Sequence, residues 1–269
     1  MMTEHILSGI YIYPIKSASG LLVKDAEVEE RGLKYDRRWM IVDADGKFIS
    51  QRTHPEMSLL SVGILGDGLV VSHKTKNYEP LFIPFYIDVE YLREVEIWDD
   101  KCSAVLVSNS ADCWFSKVLN IPCQLVYMPD ESNRLVDSKY STGKEIVSFA
   151  DAYPFLLTGQ SSLDDLNSKL NTPVSMNRFR PNLVFNGGTP FIEDSWKKFE
   201  IGSVTFFPVK PCARCSVITV NQETGLHGKE PLNVLSSYRT VGNKILFGQN
   251  LIHNGKGKIR INDSLKILE

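Results

Sequence analysis

The sequence has no uninterrupted apolar stretch of the roughly 18 residues that a membrane-spanning helix needs, so a spanning protein is not expected. Its opening residues, MMTEHILSGIYIYPIKS, lack the basic stretch, long apolar run and small-residue cleavage site of a signal peptide. Positive charge is not in excess: 30 Lys+Arg stand against 32 Asp+Glu, at a pI of about 6.2. That removes the global field with which a protein attracts duplex nucleic acid or an anionic membrane, and leaves phosphate binding to local groups. Cysteine is scarce and odd in number, five in 269 residues, so the thiols read as reduced rather than as a disulfide framework. No internal repeat or low-complexity tract is present, which sets solenoids and propellers aside. These absences describe a cytoplasmic chain that binds neither nucleic acid nor membrane.

What is present is ordinary globular material, 43% hydrophobic and 23% charged, enough for one large β-rich domain or two of ordinary size. The first half is a succession of short strands: Gly9 to Ile15, Arg38 to Val42 and Lys47 to Ser50 around an Asp43–Gly46 turn, Leu59 to Leu65 and Leu69 to Ser72 around Gly66-Asp67-Gly68, Val89 to Asp99, and Ala104 to Val107. With no βαβ rhythm, this favours a barrel or sandwich over a doubly wound sheet. Helices enter from the middle. Ser110 caps a run with Ala111, Phe115, Val118 and Leu119 on one face, and Ser162 with Asp165 forms a capping box for Ser161 to Leu170. Glu230-Pro231 opens a third helix carrying Leu232, Leu235 and Tyr238. Strands return at Asn182 to Phe185, Ser203 to Phe207, Ser216 to Val220 and Lys258 to Ile261. The polar stretch Pro129 to Lys144 reads as a loop over a site or a connector. A boundary near residues 120 to 125 divides the chain into 1–122 and 123–269.

The sharpest local feature is Pro208-Val209-Lys210-Pro211-Cys212-Ala213-Arg214-Cys215. Its C-x-x-C pair brings two thiols close, and Lys210 and Arg214 favour thiolate by charge. Half a zinc site, a redox dithiol, a single thiolate for a soft metal and two buried small residues all remain open. Elsewhere Lys16-Ser17 ends a strand in a turn able to cradle an anion. Of the adjacent Arg37 and Arg38, one must face inward on any strand and needs an anionic partner, for which Asp36 is at hand. Arg180 stands beside an apolar strand, and the helix after Thr158-Gly159-Gln160 offers a free N-terminus suited to phosphate. Together these make a set for an anionic cofactor carrying a soft metal.

These residues resemble the MOSC-domain proteins with an N-terminal β-barrel domain, the family that includes the mitochondrial amidoxime-reducing component and its bacterial relatives. The likeness runs over nearly the whole chain: YPIKS, YDRRW, ISQRTHPEM, LTGQSSLDDLN, NRFRPNLVF, EDSW, PCARCSVITVNQETG, EPLNVLSSYR and LFGQN. The resemblance implies an α+β, β-rich fold, an N-terminal β-barrel-like domain followed by a MOSC β-barrel domain with flanking helices. It implies a molybdenum cofactor, a pyranopterin dithiolene with a phosphate tail, bound between them. Residue by residue, the metal-ligating and catalytic cysteine falls on Cys215. The basic anchors fall on Lys16, Ser17, Arg37 and Arg180, with Thr158 and Asn182 nearby and with Cys212 and Arg214 beside the metal thiolate.

The activity so implied is reduction of N-hydroxylated bases, small-molecule N-oxygenated compounds, to the amine and water. The four-cysteine iron–sulfur motif of some bacterial relatives is not in this sequence, so electrons are expected from a separate reductase acting on a monomer. The pyridoxal-phosphate domain of cofactor sulfurases is likewise not expected. A non-catalytic carrier of the molybdenum cofactor or of its sulfur is the alternative, and a metal-free dithiol protein a third reading. For a proton donor, Asp137, Lys144 and Glu145 in or near the polar stretch are the candidates.

Overall fold

A computed structural model describes residues 4–87 and 92–269. The fold is α+β and β-rich, with three α-helices among the described residues. Its largest sheet runs in the order Leu265–Ile267, Phe199–Ile201, Val204–Ala213, Lys244–Asn254, Phe155–Gly159, Leu183–Asn186, Ile6–Ile12, Leu21–Val23. Hydrogen bonds from Leu7 N to Asp263 O and from Leu265 N to His5 O, 2.9 and 2.7 Å, join the strand Ile6–Ile12 to the C-terminal segment. The sheet thereby curls back on itself, which leaves few unpaired edges. Strand Ile6–Ile12, from the start of the chain, thus pairs with Leu183–Asn186 in the second half. Leu7, Ile10, Phe155, Phe185, Phe199 and Phe206 pack inside.

Of the remaining first-half strands, Asp25–Glu29 and Gly32–Leu33 form a small sheet with Gly257–Arg260, and the others form two further sheets. One runs Trp39–Val42, Gln124–Tyr127, Asp100–Leu106, Leu92–Ile97, and the other Leu60–Leu65, Gly68–His73, Leu81–Pro84. Trp39–Val42 is buried on both faces: Trp39 and Ile41 pack with Phe115 and Leu125, Met40 and Val42 with Val126 and Phe149. The expected hairpin at Gly66-Asp67 is present, with Leu65 opposite Gly68. The other reversal is looser. Phe48 meets Val42 in a single bridge while Lys47 turns to Glu96. The expected strand over Val89 to Asp99 is seen as Leu92–Ile97, its first residues lying outside those described. No helix among the described residues is long and apolar enough to cross a membrane.

Three local expectations are corrected. Helix Asn109–Leu119 is capped by Ser108, whose hydroxyl accepts from Ala111 N, rather than by Ser110; its buried face is the expected one. Helix Gln160–Asn167 starts at Gly159 with no side-chain cap, because the Ser162 hydroxyl instead donates to Glu193 at 2.8 Å. Ser216–Thr219 is a 3-10 turn, not a strand. There the Thr219 hydroxyl donates to Ser216 O at 2.8 Å and Ile218 turns into a cluster with Phe179 and Phe247.

Candidate functional site

The first-half turns and the strand ends of the large sheet enclose a cleft of about 200 Å³. Among the described residues, five cationic side chains line it, Lys16, Arg37, Arg52, Arg180 and Arg214, against the single carboxylate of Asp151. Its geometry begins in the backbone. Ser17, Arg37 and Arg180 hold φ of 68°, 50° and 54°, the left-handed region that costs a residue with a Cβ about 1 to 3 kcal/mol and persists where surrounding structure enforces it.

Tyr13 does much of that enforcing. Fully buried, it donates its hydroxyl to Pro181 O at 3.1 Å, and the guanidiniums of Arg37 and Arg180 lie 4.2 and 4.3 Å from its ring centre. Arg37 pairs with buried Asp36 at 2.6 Å, the partner that the sequence offered, and donates to Asn182 Oδ1 at 3.1 Å. Asn182 also accepts from Leu156 N at 3.2 Å, so it fixes Arg37 to the sheet. Arg38 points the opposite way and clamps Met128 O and Asp130. Arg180 donates to Ala18 O at 2.7 Å and has no carboxylate partner among the described residues. Burial pushes its guanidinium down to about 10, the electrostatic signature of a cation taken from water without full compensation.

The two thiols of the C-x-x-C pair are free, and each has its own guanidinium. Arg214 Nη1 stands 3.0 Å from Cys212 Sγ, and Arg52 Nη2 stands 3.5 Å from Cys215 Sγ. Lys210 does not serve them: its ammonium lies 4.5 Å from the Tyr140 ring centre, because the bulged strand turns it to the other face. Arg52 was not among the residues singled out from the sequence. Its signal was weak, an arginine in a turn inside the ISQRTHPEM motif, far in sequence from the cysteine that it touches.

Lys16 is buried and donates to Phe149 O at 2.8 Å and to Asp151 at 2.5 Å. Burial lowers its ammonium to about 8 against the pull of Asp151. The surroundings of Asp151 disfavour its charge, but Lys16 and then Arg52 outweigh them and hold the carboxyl below the usual range. The segment carrying Asp151 is set by Arg134, from the polar stretch read as a loop. Its buried guanidinium gathers Asp100, Ser148 O, Ala150 O and Asp151 O.

Other expected site residues are elsewhere. Thr158 is fully buried, its hydroxyl without a partner among the described residues, and it does not line the cleft. Phe155 and Leu156 of the same strand do. The helix N-terminus is not free for phosphate: the buried Glu193 carboxylate accepts from Gly159 N at 3.1 Å and from Ser162. Of the suggested proton donors, Lys144 and Glu145 border a separate groove with Phe207 and Ile252. Glu145 binds Thr142, and Asp137 accepts from Lys139 N. None reaches the cleft.

The donor set fits an anionic cofactor with a soft metal. A half-buried thiol stands among arginines, and among the described residues Arg180 and Arg214 have no carboxylate and the buried Nε of Arg214 has no acceptor. Such unpaired groups are costly unless something anionic meets them.

Comparisons with known proteins agree. The MOSC N-terminal beta barrel domain matches residues 5–122 and the MOSC domain residues 144–266. Mitochondrial amidoxime-reducing component 1 of Mus musculus is 34% identical, over 96% of this chain and 81% of that protein. The Homo sapiens protein of the same name is 32% identical, over 96% and 82%. Molybdenum cofactor sulfurase of Oryza sativa subsp. japonica is 33% identical, over 90% of this chain but 32% of that protein. The chain therefore spans about a third of the sulfurase and about four fifths of the amidoxime-reducing components.

Proposed function

The chain belongs to the MOSC-domain family, and from that premise we propose that it is a molybdenum-cofactor-dependent reductase of N-hydroxylated bases, supplied with electrons by a separate reductase. Cys215 would hold the metal, while Lys16, Ser17, Arg37, Arg180 and Arg214 would hold the anionic pterin and phosphate. The observation that carries this reading is the gathering of five cationic side chains around two free thiols, with Arg180 and Arg214 lacking a carboxylate partner among the described residues. When bound, the cofactor supplies a soft metal able to take up the oxygen of an N–O bond in a two-electron reduction.

The protein's own residues do the rest. Arg52 donates toward the Cys215 sulfur and so orients it. Arg37, tied to Asp36 and Asn182, keeps its guanidinium where an anionic tail can be met without rearrangement, which is where preorganisation contributes most. Release of the oxygen as water consumes two protons. Lys16, held near 8 by burial, is the cleft group whose proton is most easily lent near neutral pH.

The test is molybdenum and pterin content of protein made in a cofactor-competent host, for the wild type and Cys215→Ser together, followed by reduction of an N-hydroxyamidine with candidate reductases. Near-stoichiometric metal in the wild type, its loss in the variant, and turnover are expected. Metal without turnover by any reductase supports a carrier of the cofactor or its sulfur. Neither metal nor pterin overturns the reading.

A further inference from the structure

The two-residue tip between Leu92–Ile97 and Asp100–Leu106, where Ile97 pairs with Asp100, places Trp98 at φ 56°. In the hairpin where Leu65 pairs with Gly68, the corresponding left-handed residue is Gly66, at φ 59°. Glycine, asparagine or aspartate is the usual occupant of such a position, and an indole there is strained. It is also 42% exposed, with Phe48 its one aromatic neighbour among the described residues. Strain and exposure together favour a role outside the core.

The location supplies that role. One face of the indole is covered by the Arg52 guanidinium, 4.2 Å from its ring. Phe48 meets it edge-on at 4.9 Å, and its Nε1 donates to Asp151 Oδ1 at 3.4 Å. All three neighbours line the cleft that holds Cys215. Trp98 does not itself line the cleft, but it packs on three residues that do and keeps 42% of its surface exposed beside a carboxylate. We propose that Trp98 selects the substrate: its open indole surface receives the flat, delocalised group attached to the reacting nitrogen, while Asp151 accepts from the amidine N–H groups at the ring's edge. The inference rests on the reading of the chain as a reductase of N-hydroxylated bases, and adds which side chain chooses among them.

The experiment measures equilibrium binding of benzamidine, flat and without an N–O bond, and of acetamidine, which has no ring, to the purified cofactor-containing protein. Wild type is compared with Trp98→Gly, the residue that the backbone angle favours, and with Trp98→Phe, which keeps a smaller ring. Stacking on an aromatic face predicts benzamidine weakened about tenfold by Trp98→Gly and about threefold by Trp98→Phe, with acetamidine changed less than about twofold. In turnover, KM for a flat N-hydroxy base rises more than kcat falls. The proposal is overturned if the wild type does not bind benzamidine, if Trp98→Gly leaves its affinity unchanged, or if acetamidine is weakened as much. Because benzamidine carries nothing to reduce, this result decides on Trp98 whether or not the chain turns over an N-hydroxy compound.

Discussion

Arg52 Nη2 reaches to 3.5 Å from Cys215 Sγ across 163 residues of sequence, while the neighbouring Cys212 is held instead by Arg214 at 3.0 Å. The C-x-x-C pair is therefore two thiols in two different environments. Arg52 also faces Asp151 at 3.6 Å and covers Trp98, so it links the Cys215 thiol, the carboxylate and the indole beside the cleft.

From this asymmetry follows the first prediction. Cys215→Ser should abolish molybdenum retention, because a hydroxyl is a poor donor to a soft metal. Cys212→Ser should retain most of it, since only the contact with Arg214 changes. Metal analysis of the two purified variants decides, and equal losses would show that both thiols, not Cys215 alone, hold the metal.

Arg180 makes a second. With no carboxylate partner among the described residues, its half-buried guanidinium should be satisfied by a multivalent anion in cofactor-free protein. At about ten times its Kd, inorganic phosphate should stabilise such protein by about 1.4 kcal/mol, raising Tm by a few degrees over chloride at equal ionic strength. Arg180→Met should remove most of that increment, and an unchanged phosphate shift in the variant would contradict the assignment.

Much of this fold was legible because it rests on local chemistry. Gly66-Asp67 specifies its hairpin, and Ala111, Phe115, Val118 and Leu119 mark a helix face whatever they pack against. Lys16, Arg37, Arg180 and the two cysteines could be picked out because cations and thiols beside apolar strands need partners. What was not legible depends on distant partners. Ser162 looks like a cap only while Glu193, 31 residues on, is ignored. Val217 and Ile218 look like a strand because alternation cannot tell an apolar turn wedged against Phe179 and Phe247 from a ladder. Nothing local to Arg52 announces Cys215.

Glu193 carries a third prediction. Its fully buried carboxylate accepts from Gly159 N and the Ser162 hydroxyl, and Ser162 in turn accepts from Phe191 N at 2.8 Å. Glu193→Ala strands these donors and should cost about 3 kcal/mol in a denaturant titration, whereas Glu193→Gln, which keeps one acceptor, should cost less than half as much. Comparable losses in both variants would show that the charge, not the hydrogen bonding, is what the helix terminus requires.

Lys16 gives the last, in the pH dependence of cofactor-free protein. Its folded value of about 8 lies below the ordinary 10.5 because burial disfavours the ammonium. Between those two values the unfolded chain binds the extra proton, so this group's contribution to stability rises with pH across the window. Below about 8 the ammonium is charged in both states and its burial cost is borne in full; above 10.5 it is neutral in both. A downward shift of this size corresponds to a change on the order of 3 kcal/mol. The difference in unfolding free energy between wild type and Lys16→Met should therefore move in favour of the wild type from pH 7.5 to 10, with the titrating tyrosines cancelling because both proteins carry them. A difference that stays flat over that range would mean that Lys16 keeps its ordinary affinity for the proton, and would remove it as the cleft's proton donor.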